Sequence, residues 1–318
     1  MKILPITTPQ YAYLEKGFAE WLDVLGYSDM TIYNMPHVIR EFLHYQENRG
    51  IKEIRNLKQQ HIKSYHDHIC SRSNQRRGGG LSDKYIVMHL QAIEKFLEYL
   101  RHCNIPTLAR TGIRLLTPAR KQVTVLTVEE IRLLFHTTRK DILIPAGSVL
   151  NLSYYEAMQA RDRALLVIYY SCGLRRNEGV HIHTDDINFD NRLLHVRKGK
   201  NYKERFVPFN KTNAQYLQEY IYDHRPLLLK EKNEPRLFIS QGARQMTGGS
   251  LNNRLQLLQR QTEDIPLQEK ELTLHTLRHS IATHLLQAGM PFEKIARFLG
   301  HQTLDSTQIY AHLLNAHD

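Results

Sequence analysis

In the first 105 residues apolar side chains recur at a period near 3.6, and this commits the stretch to helices that must bury one face against each other. From Tyr11 to Leu25 the stripe runs through Tyr11, Leu14, Phe18, Trp21, Leu22 and Leu25, with Gly26 placed to stop it. From Asp29 to Asn48 it runs through Ile32, Met35, Val38, Ile39, Phe42 and Tyr45, with Pro36 expected in the first turns. A shorter helix is predicted over Lys58–Ser71. After the break RSNQRRGGG (72–80), Ser82 is a fair N-cap for a helix to Arg101, striped by Ile86, Leu90, Ile93, Phe96, Leu97 and Leu100. Four such helices predict a small bundle.

The pattern then changes. Residues 106–123 read as a basic interdomain linker, with Pro106, Gly112 and Pro118 and weak periodicity. Thr127 and Glu130 form a capping-box pattern that starts a new helix. Residues 138–155 read as irregular, and Arg161–Ser171 as a buried helix ended by Gly173. Leu193–Val196 and Arg205–Phe209 alternate as short strands around the polar turn KGKNYKE. Helices return over Ser250–Gln261, Leu274–Ala288, Phe292–Leu299 and Leu304–Leu314. The expected fold is mainly α with a small antiparallel β-hairpin, an α+β arrangement in two domains, 1–105 and 124–318.

Of the 318 residues, 43 are Lys or Arg and 32 Asp or Glu, a formal charge of +11 that predicts an anionic partner. The excess is concentrated: the net is −2 over residues 1–50, +8 over 51–120 and +5 over the rest. Beside the RRGGG break, Arg72, Arg76, Arg77 and Lys84 are the candidates for tracking a phosphate backbone; the bland alternative is a solubilising face. The three cysteines, Cys70, Cys103 and Cys172, are far apart, which argues against a disulfide framework or a cysteine–zinc site. No apolar run is long enough for a signal peptide or a membrane span, so a cytoplasmic protein without a membrane partner is expected.

Four segments carry chemistry. In HTLRHSIATHLLQAG, His275 and Arg278 share a helix face and sit near free N–H groups that favour an anion, opposite a stripe of Leu277, Ile281, Leu285 and Ala288. A solvated His and Arg beside a buried stripe is about as good a reading of that motif alone. Metal binding through His275 and His279 ranks low, because the neighbours are arginine rather than acidic. CGLRRNEGV puts Arg175 past a helix stop, RKGKNYKER puts Lys200 at a turn, and LGHQTLDSTQIY puts His301 nine residues before Tyr310. Each alone fits an ordinary surface or core position.

Together, in this order and spacing, the four segments make the chain resemble the tyrosine recombinase (phage integrase-type) family over nearly all its length, in its simpler two-domain form. The resemblance implies a DNA strand transferase that cuts and rejoins through a covalent 3′-phosphotyrosine. It assigns Arg175, Lys200, His275, Arg278, His301 and Tyr310 to catalysis and Glu178 to a supporting acidic place. It implies an N-terminal core-binding domain, a duplex core site with inverted-repeat half-sites, a tetramer on DNA and room for a partner recombinase or accessory factor, with neither metal nor cofactor. The chemistry is compatible with the residues: two arginines can neutralise a phosphate, a lysine can protonate the leaving oxygen and a histidine can take the phenol proton. Asn177 and Gly179 depart from the residues common in the family, and altered packing is expected there. A type IB topoisomerase-like nicking–closing enzyme and a catalytically silent DNA-binding regulator are the alternatives.

Overall fold

The computed structural model describes residues 4–74, 78–114, 124–140, 152–197 and 204–300. They fall into two compact units that divide between Lys121 and Gln122. Arg76, Arg77, Lys200, His301, Tyr310 and the expected helix Leu304–Leu314 lie outside the described residues.

The first unit is a bundle of α1 (Pro9–Val24), α2 (Asp29–Asn48), α3 (Gln59–Ser71) and α4 (Asp83–His102). Ser28 and Ser82 cap α2 and α4 by accepting from the N–H groups of Thr31 and Tyr85, which satisfies donors that a helix start leaves open. Helix α2 runs through Pro36, which lies deeper in the helix than its first turn and is buried, at the loss of one backbone hydrogen bond. The core is the predicted stripes meeting: Phe18, Leu22, Ile39, Phe42, Ile62, Tyr65, Ile93, Phe96, Leu97 and Leu100 are sealed from solvent. Part of the segment expected to be linker is laid down on this bundle. Arg101 donates to the carbonyls of Leu108 and Ala109, and Thr111 donates from its amide and hydroxyl to the Glu94 carboxylate. Gly112, at φ +68°, covers Gln59 so closely that a Cβ would fall 1.6 Å from its Nε2.

The second unit contains α5 (Val128–Thr137), α6 (Leu152–Leu166), α7 (Arg176–Val180), β1 (Ile187–Asn188), β2 (Leu193–Val196), β3 (Arg205–Pro208), α8 (Lys211–Gln218), α9 (Arg225–Leu229), α10 (Gly248–Arg260), α11 (Ile265–Glu269), α12 (Leu274–Gln287) and α13 (Phe292–Leu299). Thr127 and Glu130 cap α5 reciprocally, as their spacing predicts. The strands form an antiparallel sheet in the order β1-β2-β3, with Leu194 opposite both Ile187 and Val207. Helix α6 begins at Leu152, within the stretch read as irregular, and is buried almost all round from Ala157 to Leu166. Its periodicity is hidden because Arg161, Asp162 and Arg163 are buried too. Asp162 is held by the guanidinium of Arg254 on α10, and Arg163 donates to the Thr138 carbonyl and to Glu219. Helices α8 and α9, joined by a π-helical stretch over Glu219–His224, have no counterpart among the expected elements.

The centre of this unit is the continuation of α6. Over Val167–Ser171 the winding widens to a π-helix, with the Cys172 amide bonded to the Val167 carbonyl five residues back. This turns Tyr169 inward, where its hydroxyl donates to the Arg176 carbonyl at 3.1 Å. The ring lies against Gly179 of α7, and a Cβ there would come within 2.5 Å of the ring carbon Cζ. The small residue at 179 is therefore matched to the large one at 169. Gly179→Ala is expected to destabilise the protein by about 1–3 kcal/mol, the usual cost of overpacking a filled core. Urea unfolding measures it, and an unchanged midpoint would show that the ring moves aside freely.

Candidate active site

Arg175 is brought into place by the helix that follows it. It is the N-cap of α7, and Glu178, three residues on, accepts from the Arg175 amide at 2.8 Å. The same carboxylate takes the Arg175 guanidinium at 2.9 Å through its other oxygen. Glu178 thus caps a helix and pairs an arginine at once, and its side chain is only 3% exposed.

Arg278 arrives from the opposite direction. Helix α12 starts with Thr273 and Thr276 capping each other, which puts His275 in the first turn and Arg278 one turn further in. The Arg278 side chain is 4% exposed and reaches across to the Gly173 carbonyl and, at 2.8 Å, to the Leu299 carbonyl. Gly173, at φ +61°, makes room for this: a Cβ there would meet Leu299, Phe298 and Ile281 at 2.9–3.4 Å. Helix α12 is less one-sided than its sequence suggests. Ala288 is exposed, while Thr276, Ser280 and Thr283 are buried, because their hydroxyls bond to nearby carbonyls and amides.

The two arginines meet at the end of α13. Leu299's carbonyl accepts from Arg278 and, at 3.4 Å, from Arg175, and the Gly300 carbonyl accepts from Arg175 at 2.8 Å. These carbonyls are left open where α13 stops at Gly300, in the left-handed conformation at φ +67°. Two guanidiniums therefore close the negative end of that helix. His275 stands exposed beside them. Desolvation first, then the charges of Arg176, Arg278 and Arg175, push its pKa below the ordinary histidine value, so the imidazole is neutral at pH 7. His279 is lowered to about 4 by burial and by His275 and Arg278.

A third arginine belongs to this cluster: Arg205 closes the segment RKGKNYKER, in which the resemblance assigns only Lys200. Arg205 of β3 donates to both oxygens of Glu178, at 3.0 and 2.9 Å, and through Nε to the Phe298 carbonyl at 3.0 Å. The strand alternation carries a signal for it. Arg205 and Val207 share the inward face while Phe206 is 61% exposed, so a charge sits where an apolar residue belongs. Another pair unforeseen in the sequence lies at the back of α12. Leu126 donates its amide to Ser280 and gives its carbonyl to His284 Nε2, and His284 Nδ1 accepts from Tyr170.

Of the residues expected to track DNA, Arg72 is ion-paired with Glu41 at 2.7 Å and Lys84 stands exposed in the first turn of α4. Among the described residues no group of three His, Cys, Asp or Glu could hold a metal ion, and no helix is long and apolar enough to cross a membrane.

Residues 124–317 match the model of the phage integrase family. The chain belongs to that family. It is a tyrosine recombinase by class, an enzyme that cuts and rejoins DNA strands. It is 34% identical over 233 residues to tyrosine recombinase XerC of Chlamydia caviae, covering 72% of this chain and 67% of that one. It is 28% identical over 292 residues to XerD of Corynebacterium glutamicum, covering 91% and 89%. Its match to XerD of Pseudomonas putida, at 39% identity, spans about half of each chain, 51% and 52%. Among solved structures, XerH recombinase bound to its difH substrate superposes with a TM-score of 0.68 at 19% identity, covering 96% of this chain and 83% of that one. The Tn1549 transposon integrase in complex with circular intermediate DNA gives 0.67 at 18%, covering 93% and 94%. At these identities the likeness shows a shared fold.

The Glu178 carboxyl has a definite pH signature. Burial would raise its pKa, but the hydrogen bonds and charge of Arg205, with the amide and charge of Arg175, outweigh that and hold it at about 2. A lowered folded-state pKa stabilises above the unfolded value near 4.5, and the contribution is lost as pH falls toward 2. Glu178→Gln should cost about 3–5 kcal/mol at pH 7, the price of unbalancing buried charge. The gap to wild type should narrow between pH 4.5 and 2, and thermal unfolding across that range checks it.

Proposed function

We propose that this chain is a site-specific DNA recombinase that acts through a covalent 3′-phosphotyrosine on Tyr310. The observation that carries the reading is the convergence of Arg175 and Arg278, 103 positions apart in the chain, on the Leu299 carbonyl just ahead of the segment that holds His301 and Tyr310. Two guanidiniums fixed at one point suit the non-bridging oxygens of a phosphodiester, whose negative charge grows as a phenolate attacks.

In this reading Tyr310 Oη attacks phosphorus and the bond to the 5′ oxygen breaks. The phenol proton passes to His275, whose lowered pKa leaves it neutral and able to accept. Lys200 gives a proton to the departing 5′ oxygen, and His301 donates to a phosphate oxygen. The new phosphotyrosine ester keeps the energy of the broken bond, so another 5′ hydroxyl can reseal the strand without ATP. Glu178 holds Arg175 in place.

The duplex partner is a core site with inverted-repeat half-sites, bound by a core-binding unit (1–105) and the catalytic unit (124–318), with the basic linker 106–123 joining them in the chain. Arg72, Arg76, Arg77 and Lys84 contribute to backbone contact, so affinity falls with salt. Exchange between two duplexes calls for a tetramer, with space for a second recombinase or an accessory factor, in the cytoplasm. The similarity to proteins named XerC and XerD favours a role in resolving chromosome dimers over inserting a mobile element.

Covalent capture tests this. A pool of nicked random-sequence duplexes is incubated with the protein, and adducts that survive denaturant are isolated and sequenced. Wild type should yield an adduct on a palindromic core, and none would sink the reading. Tyr310→Phe should abolish the adduct and leave DNA binding within about threefold. Arg175→Ala or Arg278→Ala should slow it by about 100-fold or more. Cleavage retained in Tyr310→Phe would show a different nucleophile.

A further inference from the structure

The end of α13 presents three successive carbonyls, and each is taken by an arginine: Phe298 by Arg205, Leu299 by Arg278 and Arg175, and Gly300 by Arg175. Behind them lies the Glu178 carboxylate. Its four hydrogen-bonding positions are filled by two donors of Arg205 and two of Arg175, and Arg278 lies 3.9 Å from it. Arg205 makes the matched two-pronged pair, whereas the Arg175 side chain gives Glu178 a single nitrogen. Arg205 is also the more enclosed of the two, its side chain 8% exposed against 21% for Arg175. Gly300 keeps the space that this requires, since a Cβ there would lie 2.8 Å from Arg205 Nη1.

We propose that Arg205 is a positioning residue for strand cleavage: it takes up the larger share of the Glu178 charge, so that less of it falls on Arg175 and Arg278, which meet the substrate phosphate. These four side chains, three guanidiniums and one carboxylate, sum to +2. A phosphodiester carries −1 and gains further negative charge as the tyrosine attacks, so the cluster matches the transition state better than the ground state. Without Arg205 the same cluster falls to +1. Half the acceptor positions on a buried carboxylate fall vacant, and Glu178 turns to Arg175 and Arg278 to fill them. Arg205 thus acts through Glu178, to which it gives both of its terminal nitrogens.

The inference rests on the recombinase reading, and adduct formation by wild type on the captured duplex is the control that separates the two. Arg205→Gln should slow the adduct about 100-fold with the duplex Kd within threefold of wild type. Arg205→Lys, which keeps the charge and loses the fork, should slow it about tenfold. The decisive readout is the effect of Glu178→Gln in two backgrounds. In the wild-type background it lowers the rate. In the Arg205→Gln background it raises the rate at least tenfold, because it removes the carboxylate that now competes for Arg175. A role in packing alone predicts that the two changes add in the same direction. Additive losses, or a wild-type rate in Arg205→Gln, would overturn the proposal. If Arg205→Gln fails to fold, the same comparison in the Arg205→Lys background decides by the sign of the Glu178→Gln effect.

Discussion

A carboxylate sealed in a protein interior is unstable as an anion unless positive charge surrounds it, and a knot of guanidiniums is unstable without an anion. Glu178 and its three arginines resolve both problems together. The arrangement joins parts of the chain that have nothing else in common: the start of α7, the inner face of β3, the first turns of α12 and the last turn of α13. The helix end contributes as well. Its open carbonyls give the arginines acceptors that hold their planes without cancelling a full charge.

What could be read from the sequence was what repeats locally. The bundle of the first unit followed from stripes at helical spacing, because each helix there has one buried face. The capping of α5 by Thr127 and Glu130 was legible for the same reason. Helix α6 was only half legible: it passes through the middle of its unit, so arginine and aspartate are buried beside leucine and the period is lost. Helices α8 and α9 went unread; their register is broken by a π-helical stretch and by Pro226.

The site was legible in a different way. Arg175, Glu178, His275 and Arg278 stand in short motifs whose order and spacing resemble a known family. Arg205 ends another such segment, RKGKNYKER, without being given a role, although an arginine between Glu204 and Phe206 on a strand whose inner face is otherwise apolar is a local anomaly. Gly179, read as a departure that alters packing, is explained by Tyr169, ten residues earlier and on another helix. Neither residue makes sense alone. Each is half of a pair that only the fold brings together.

The attachment of Leu126 has a mechanical meaning. Its amide and carbonyl are both tied to α12, through Ser280 and His284, within two turns of Arg278 on the same helix. A short rigid rod thus connects the point where the chain enters this unit to the guanidinium and imidazole at the rod's other end. Leu126 and α12 are therefore held to one another without an intervening loop, and neither can slide along the helix axis without breaking a hydrogen bond.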